Sequence, residues 1–566
     1  MVLANSIDIF PFTRLKPGQG VMLHYLSKKR RIIVQAPTGA GKTAVALSAM
    51  LPELSKGKQL IIATRTKSQI FDVFFKKLQH FRGRVDLDQI SYVPLIAEHD
   101  LCVRQDRASP FDTKCRECPK FRPTKHPSKA VLIDLTKKTG QLAPSPNAWR
   151  TSLSEEGCPY HLVKRLCAYV DIVFTSQGHL SDPHLRKELF RLTQADTSPH
   201  TKLLLLDEIH GLVAPSIVDE LPLKTFQEAV TIHPFEGLVA FLSTYRYPGE
   251  VQRTMWAEEV ATYLDKDRHR WTHPRFQPLV ALYKFLQSQG DCWVRTEMSE
   301  ETIVQVNPFP DTIFKAFKHF YKVIGMSGTL VPLAAYQELF GIQHYQTLEV
   351  PRPLQNHFLA VTSELRFSSA HENHNQQTYY MYAQAILKLH VLNPCLTLVA
   401  CASHELKDEL NTYLNTPYVE DPQYAIPPWL SELQRKKHEL VLAVMGGRLT
   451  EGLEIIDPAT QRSKITLTII VGLPFPVQNT LQDYLTYLYS QCYSAYQTER
   501  YLVYLPTLSK LLQTLGRGIR SERDYSAAVV LDYRADQFPL GRHTLFYGKF
   551  DVLLRDLFRF YHHQGK

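Results

Sequence analysis

No run in this 566-residue chain approaches the roughly 18 consecutive apolar residues that a membrane-spanning helix needs. The opening "MVLANSIDIFPFTRLKPGQG" lacks both the basic start and the sustained apolar stretch of a secretory signal. Internal repeats and low-complexity tracts are also missing, which excludes solenoids and fibrous arrays. Charge is only mildly unbalanced: 65 Lys plus Arg against 55 Asp plus Glu give +10 without a polybasic tail, which permits an anionic partner and does not demand one. Cysteine is scarce at nine, and in an intracellular chain that number favours metal ligation or inert burial over a disulfide framework. What is present, 44% apolar and 21% charged residues, suffices for ordinary cores, and the length predicts a soluble intracellular protein of three or four units.

Short aliphatic runs without alternation read as buried parallel strands: "RIIV" at 31, "LIIAT" at 60, "KLLLLDE" at 202, "LTLVAC" at 396, "LVLAVM" at 440, "TLTIIVG" at 466 and "AAVVLD" at 527. They predict an α/β fold in two groups, the second beginning near residue 345 around the Pro-punctuated "LEVPRPLQN". Two regions break the rhythm. Residues 95 to 165 carry Pro, Lys, Arg and four cysteines, whereas 213 to 320 read as helical, with Leu279, Leu282, Tyr283 and Leu286 and also Met255, Trp256, Val260 and Tyr263 at helical spacing. Both read as insertions into the first α/β domain.

"APTGAGKT" at 36 to 43 follows an apolar strand and precedes a helix-forming run, the context of a phosphate-binding loop. Thr38, Gly39, Ala40, Gly41, Lys42 and Thr43 would cradle ATP: the glycines let backbone N–H groups approach phosphate, Lys42 reaches the β and γ groups, and Thr43 ligates Mg²⁺. Ala36 stands where the general pattern has its first Gly. "LLLLDEIH" ends a buried strand in carboxylates, so Asp207 is expected on Mg²⁺ and Glu208 on the attacking water, with His210 relaying nucleotide state. In "QTLGRGIR", Gln513, Arg517 and Arg520 fall at i, i+4 and i+7, one helical face that would bring positive charge to the γ-phosphate. The bland alternatives are a Gly-rich turn, a helix cap and a solvated basic surface. "TKCRECPKF" places Cys115 and Cys118 three positions apart, and with Cys102 and Cys158 the spacing by itself points first to a Cys₄ zinc site, thiolates suiting an iron–sulfur cluster as well.

Taken together these motifs resemble the XPD/Rad3 family of superfamily 2 DNA helicases, which includes the DinG-like enzymes. "FTRLKPGQ" resembles the N-terminal nucleotide motif, "ATRTKSQ" motif Ia, "DEIH" the DEAH box, "MSGTL" motif III, "GGRLTEGLE" motif V and "QTLGRGIR" motif VI. Lys67, His404 and Glu454 depart from residues the family often has there. The resemblance implies that Gln19 recognises the base, that Cys102, Cys115, Cys118 and Cys158 bind a [4Fe–4S] cluster, and that Thr64, Arg65, Ser403 and Arg448 contact the DNA backbone. Cys167 reads as a buried helix cysteine. In "KDRHRWTHPRF", Arg268, Arg270 and Arg275 interleave with Trp271 and Phe276, either as a stacking surface for bases or as a basic face over core aromatics.

The implied architecture is two RecA-like parallel-sheet motor domains, the first carrying an iron–sulfur insertion and a helical arch insertion: 1–95, 166–212 and 321–344 for domain 1, 96–165 for the cluster, 213–320 for the arch, 345–566 for domain 2. The implied activity is a monomeric, ATP- and Mg²⁺-dependent helicase moving 5′ to 3′ on single-stranded and forked DNA, serving repair in a prokaryotic-type cytoplasm at the nucleoid. A DinG-like role in replication conflicts or R-loops and a scaffold with a dispensable ATPase are the alternatives. With the P-loop so early and the tail so short, neither an exonuclease domain nor a long C-terminal extension is expected.

Overall fold

The computed structural model describes residues 6–564 apart from 7, 68, 104–117, 119–130, 132–133, 136–144, 214, 235–249, 272, 289–291, 298–300, 352–356, 366–374, 425–426, 452–454, 458–459, 461, 519–523 and 542. The aliphatic runs become strands of two wholly parallel sheets. The first contains β1 (Arg31–Gln35), β2 (Gln59–Thr64), β3 (Tyr92–Leu95), β4 (Ile172–Ser176), β5 (Lys202–Asp207), β9 (Lys322–Ser327) and β10 (Gln346–Glu349), in the order β10-β1-β9-β5-β2-β4-β3. The second contains β11 (His357–Thr362), β12 (Leu396–Cys401), β13 (Leu440–Val444), β14 (Ile465–Val471), β15 (Ser526–Val530) and β16 (Leu545–Tyr547), in the order β13-β12-β14-β15-β11-β16. β2, β5, β9, β12 and β14 are buried along their full length, because helices cover both faces of each sheet.

The order β1-β9-β5 brings the nucleotide motifs together. Met326 pairs with Val34 on one side and with Asp207 on the other, so the loops after three strands open at one place on the C-terminal edge.

Between β3 and β4, the helices Pro146–Ser154 and Pro159–Leu166 put Trp149, Leu153, Leu162, Val163 and Leu166 into the same core as the sheet. Between β5 and β9 the expectation of an all-helical insertion is corrected. The helices Leu223–Ile232, Glu250–Asp265 and Gln277–Gln287 pack with β6 (Ser216–Pro222), β7 (Cys292–Glu297) and β8 (Glu301–Asn307), an antiparallel sheet ordered β6-β8-β7. "ETIVQVN" is rich in β-branched residues, which lose rotamer freedom in a helix and pack well on a pleated face. This unit has its own core, including Phe226, Trp256, Leu279, Phe285, Trp293 and Ile303.

The boundary at 344/345 is also corrected. β10 pairs with β1 from Ile32↔Gln346 to Gln35↔Glu349, so the first sheet continues past it and the second starts at β11. The lobes touch: Leu485, Tyr489, Tyr501 and Leu502, distal to β14, lie in the first lobe's core, and the Tyr489 hydroxyl donates to the Pro308 carbonyl at 2.7 Å.

Candidate active site

The glycine-rich loop joins β1 to the helix Lys42–Met50. Gly41 caps this helix at φ 77°, a conformation that favours glycine, and a Cβ there would displace the Gln19 amide. Gln19 is buried. Its Oε1 accepts from the Lys16 N–H at 2.8 Å and its Nε2 donates to the Ala40 carbonyl at 3.0 Å, so it braces the loop from outside. Lys16 Nζ donates to Gly39 O at 3.0 Å. The Lys42 ammonium donates to Ala36 O at 2.9 Å and lies 3.8 Å from Glu208 Oε1.

Asp207 closes β5, and Glu208 follows in the left-handed region at φ 54°. That backbone is pinned by Gln177, whose Nε2 donates to the carbonyls of Asp207 at 2.6 Å and Glu208 at 3.2 Å. Burial first, then the neighbouring Glu208 charge, pushes the Asp207 carboxyl up to about 7. Burial acts in the same sense on Glu208, but Lys42 and then His210 outweigh it and hold that carboxyl well below the usual range. The pair therefore offers one anion beside Lys42 and one carboxyl that calls for a cation. Thr43 and Asp207, both buried hard oxygen donors at this edge, fit Mg²⁺.

Motif III supplies a link that sequence reasoning passed over. The Ser327 hydroxyl donates to Glu208 Oε2 at 2.9 Å and meets His210 Nδ1 at 2.7 Å. On the far side of the ring, His210 Nε2 lies 2.5 Å from Gln513 Nε2 and 3.0 Å from Arg65 Nη1. Thr329 Oγ1 meets Ser509 Oγ at 3.0 Å. Gln513 and Ser509 belong to the second lobe's helix Leu505–Leu515, so carboxylate chemistry and domain contact share one hydrogen-bonded chain. Gln513 and Arg517 do not share one helical face. The helix stops at Leu515, with Gly516 as its cap, and Arg517 lies beyond it, its Nε donating to Thr450 O at 2.6 Å. Burial, the largest influence, lowers Arg517 to about 10, and the charges of Glu451 and Glu208 oppose it. Arg520 lies outside the described residues.

Two comparisons of sequence agree with this geometry. The family model described as DEAD/DEAH box helicase matches residues 16–92 and the helicase C-terminal domain matches 372–545. The curated "ATP-dependent DNA helicase XPD" of Sulfolobus acidocaldarius is 22% identical over 534 residues, covering 89% of this chain and 92% of that protein. The chain is similar to the XPD/Rad3-like superfamily 2 helicases. A solved structure described as an XPD helicase superposes on the XPD-like chain with TM-score 0.64 at 18% identity, covering 94% of this chain and 98% of that one. The S. tokodaii Xpd4 structure does so with TM-score 0.55 at 14% identity, covering 94% and 99%. Both share the paired RecA-like fold.

Of the four cysteines expected on a cluster in this XPD-like chain, Cys115 lies outside the described residues. Cys102 ends the helix Glu98–Leu101, Cys118 is buried, and Cys158 precedes the helix Pro159–Leu166. Burial pushes the Cys158 thiol up, the backbone N–H groups of His161 and Tyr160 oppose this, and the charges of Cys102 and Cys118 add to the rise. Thiols of this kind would suit an iron–sulfur cluster as ligands once deprotonated. Among the described residues no three His, Cys, Asp or Glu stand close enough to hold a metal by themselves. Cys167 is fully buried, its Sγ 3.3 Å from Val163 O and its thiol pushed up to about 12, as an inert core cysteine should be.

The strand contacts divide. Ser403 caps the helix His404–Leu414 and Arg448 opens the short helix Arg448–Glu451; both are exposed, after the neighbouring strands β12 and β13. Thr64 and Arg65 sit differently. Thr64 is fully buried and its hydroxyl donates to Thr66 O at 2.8 Å, while Arg65 binds inside the interlobe cleft. In the arch, Arg270 lies over the Tyr263 ring at 4.6 Å and Trp271 Nε1 donates to Asp265 at 2.9 Å, so packing within the unit occupies both.

Proposed function

We propose that this chain is an ATP-dependent DNA helicase that translocates 5′ to 3′ on single strands and opens forked duplexes. The observation that carries it is the His210–Gln513 contact at 2.5 Å, which joins the carboxylate end of β5 to motif VI on the other lobe. In this reading the loop from Thr38 to Thr43 holds the phosphates, and Gln19 meets the base from the loop it braces. Lys42 leaves the Ala36 carbonyl for the β and γ oxygens, and Glu208, kept ionised by Lys42, accepts the proton of the attacking water. Thr43 and Asp207 would hold Mg²⁺, which when bound neutralises charge on the phosphates. Arg517, and Arg520 from its own segment, stabilise the departing charge as the lobes close.

Cys102, Cys115, Cys118 and Cys158 would hold a [4Fe–4S] cluster, which when bound supplies folding free energy to a segment rich in Pro, Lys and Arg. Ser403 and Arg448 contact the strand backbone without reading sequence. Residues 1–95, 166–212 and 321–350 form the first motor domain, 96–165 the cluster module, 213–320 the arch, and the remainder the second motor domain. The chain works on nucleoid DNA in the cytoplasm, in repair, as a monomer.

The test compares ATP hydrolysis with and without single-stranded DNA, alongside strand displacement. Hydrolysis should rise with single strands, and Lys42→Ala should lose hydrolysis and unwinding while keeping DNA binding. Unwinding retained by Lys42→Ala would contradict the mechanism.

A further inference from the structure

Arg65 follows directly on β2 and was expected on the DNA backbone. Its guanidinium instead makes its contacts inside the protein. Nη1 lies 2.7 Å from Glu451 Oε2, 3.0 Å from His210 Nε2 and 3.5 Å from Gln513 Oε1. Two of these partners belong to the second lobe, and the third is the imidazole that meets Ser327, which in turn bonds Glu208. The stem of Arg65 runs alongside Gly211, where a Cβ would come within 3.3 Å of Arg65 Cδ.

Glu451 is the other half of the argument. It ends the short helix Arg448–Glu451, whose Thr450 carbonyl accepts from Arg517 Nε at 2.6 Å. The ion pair therefore ties the first lobe to the turn that sets the position of Arg517. Its side chains are 31% and 13% exposed, so solvent screens the pair incompletely and loss of either charge leaves the other poorly compensated. A carboxylate, an imidazole and an amide from both lobes thus converge on the one Nη1 of Arg65.

We propose that Arg65 is a positioning residue for ATP hydrolysis: paired with Glu451 across the cleft, it couples the nucleotide carboxylates to closure of the second lobe and does not contact the DNA strand. The proposal rests on the motor reading above. It also assigns Glu451, within motif V, as the receiving group.

The experiment uses the full-length protein. Affinity for single-stranded DNA is measured over a salt series without nucleotide, and DNA-stimulated hydrolysis is resolved into kcat and KM for wild type, Arg65→Ala, Glu451→Gln and the double variant. Arg65→Ala should keep the wild-type salt slope and lose about 5- to 100-fold in kcat, with a much smaller change in KM. Glu451→Gln, which keeps the shape, should lose kcat alike, and the double variant should lose no more than the worse single one. A salt slope shallower by about 0.7 in Arg65→Ala, the loss of one phosphate contact on a single strand, overturns the proposal. So does a wild-type kcat in Glu451→Gln, or losses that multiply in the double variant. If the wild type itself shows no stimulation by single strands, the motor reading falls, whatever the variants do.

Discussion

Glu208 carries its carboxylate from a backbone conformation that costs a non-glycine residue on the order of 1 kcal/mol. Gln177 holds that turn through two carbonyls, and Ser327 and Lys42 hold the side chain, so surrounding contacts offset the strain at the point where the attacking water must be met. Lys322 shows a different residue-scale cost. It opens β9 fully enclosed, with its ammonium 3.4 Å from Ala49 O, and burial lowers it to about 8, opposed by Glu53. Below pH 8 both folded and unfolded chains hold this proton and the whole burial penalty is present. Between about 8 and the ordinary 10.5 the folded chain has released it and the unfolded chain has not, so this residue's contribution to stability rises with pH. Lys322→Met should accordingly stabilise the protein by up to about 3 kcal/mol at pH 7. Thermal melts of both proteins should show the gap shrinking towards pH 10.5, and a gap independent of pH would refute the assignment.

At the scale of elements, β9 does most to assemble the site. Lying between β1 and β5 in parallel register, it delivers Ser327 to Glu208 and Thr329 to Ser509, one contact on each lobe. The stretch from β3 to β4 is built in two parts. Trp149, Leu153 and Leu162 anchor its second half in the sheet's core, while Cys158 stands at the start of the helix Pro159–Leu166. Because the anchored helices have apolar burial of their own, loss of a thiol should damage the module and spare the sheet. Cys158→Ser, purified without oxygen, should lose visible absorption and bound iron, and become protease-sensitive between residues 100 and 145 while still binding ATP. Colourless wild-type protein carrying stoichiometric zinc would replace the iron–sulfur assignment.

Across the whole molecule, the site exists only as a relation between two lobes. Arg517 is buried and bonded to the Thr450 carbonyl, next to the Glu451 that pairs with Arg65 of the first lobe. Arg517→Ala should therefore bind ATP with near wild-type affinity but hydrolyse it about 10³-fold more slowly or worse, read from single-turnover rates. An unchanged single-turnover rate would mean that closure does not deliver this group. Among the described residues no helix is long and apolar enough to cross a membrane. The order of nucleotide motifs, the runs that become β1, β2, β5, β12, β13, β14 and β15, and the place of Gly41 in the phosphate-binding loop were all legible in the sequence, because strand burial, loop conformation and helix starts depend on residues adjacent in the chain. The partners of Arg65, 448 residues from Gln513, the enclosure of Thr64, the strands within the arch and the place of β10 were decided by tertiary structure alone. A side chain's type fixes what it can bond, but which partner reaches it depends on how separately folded surfaces meet, and no local pattern of residues carries that geometry.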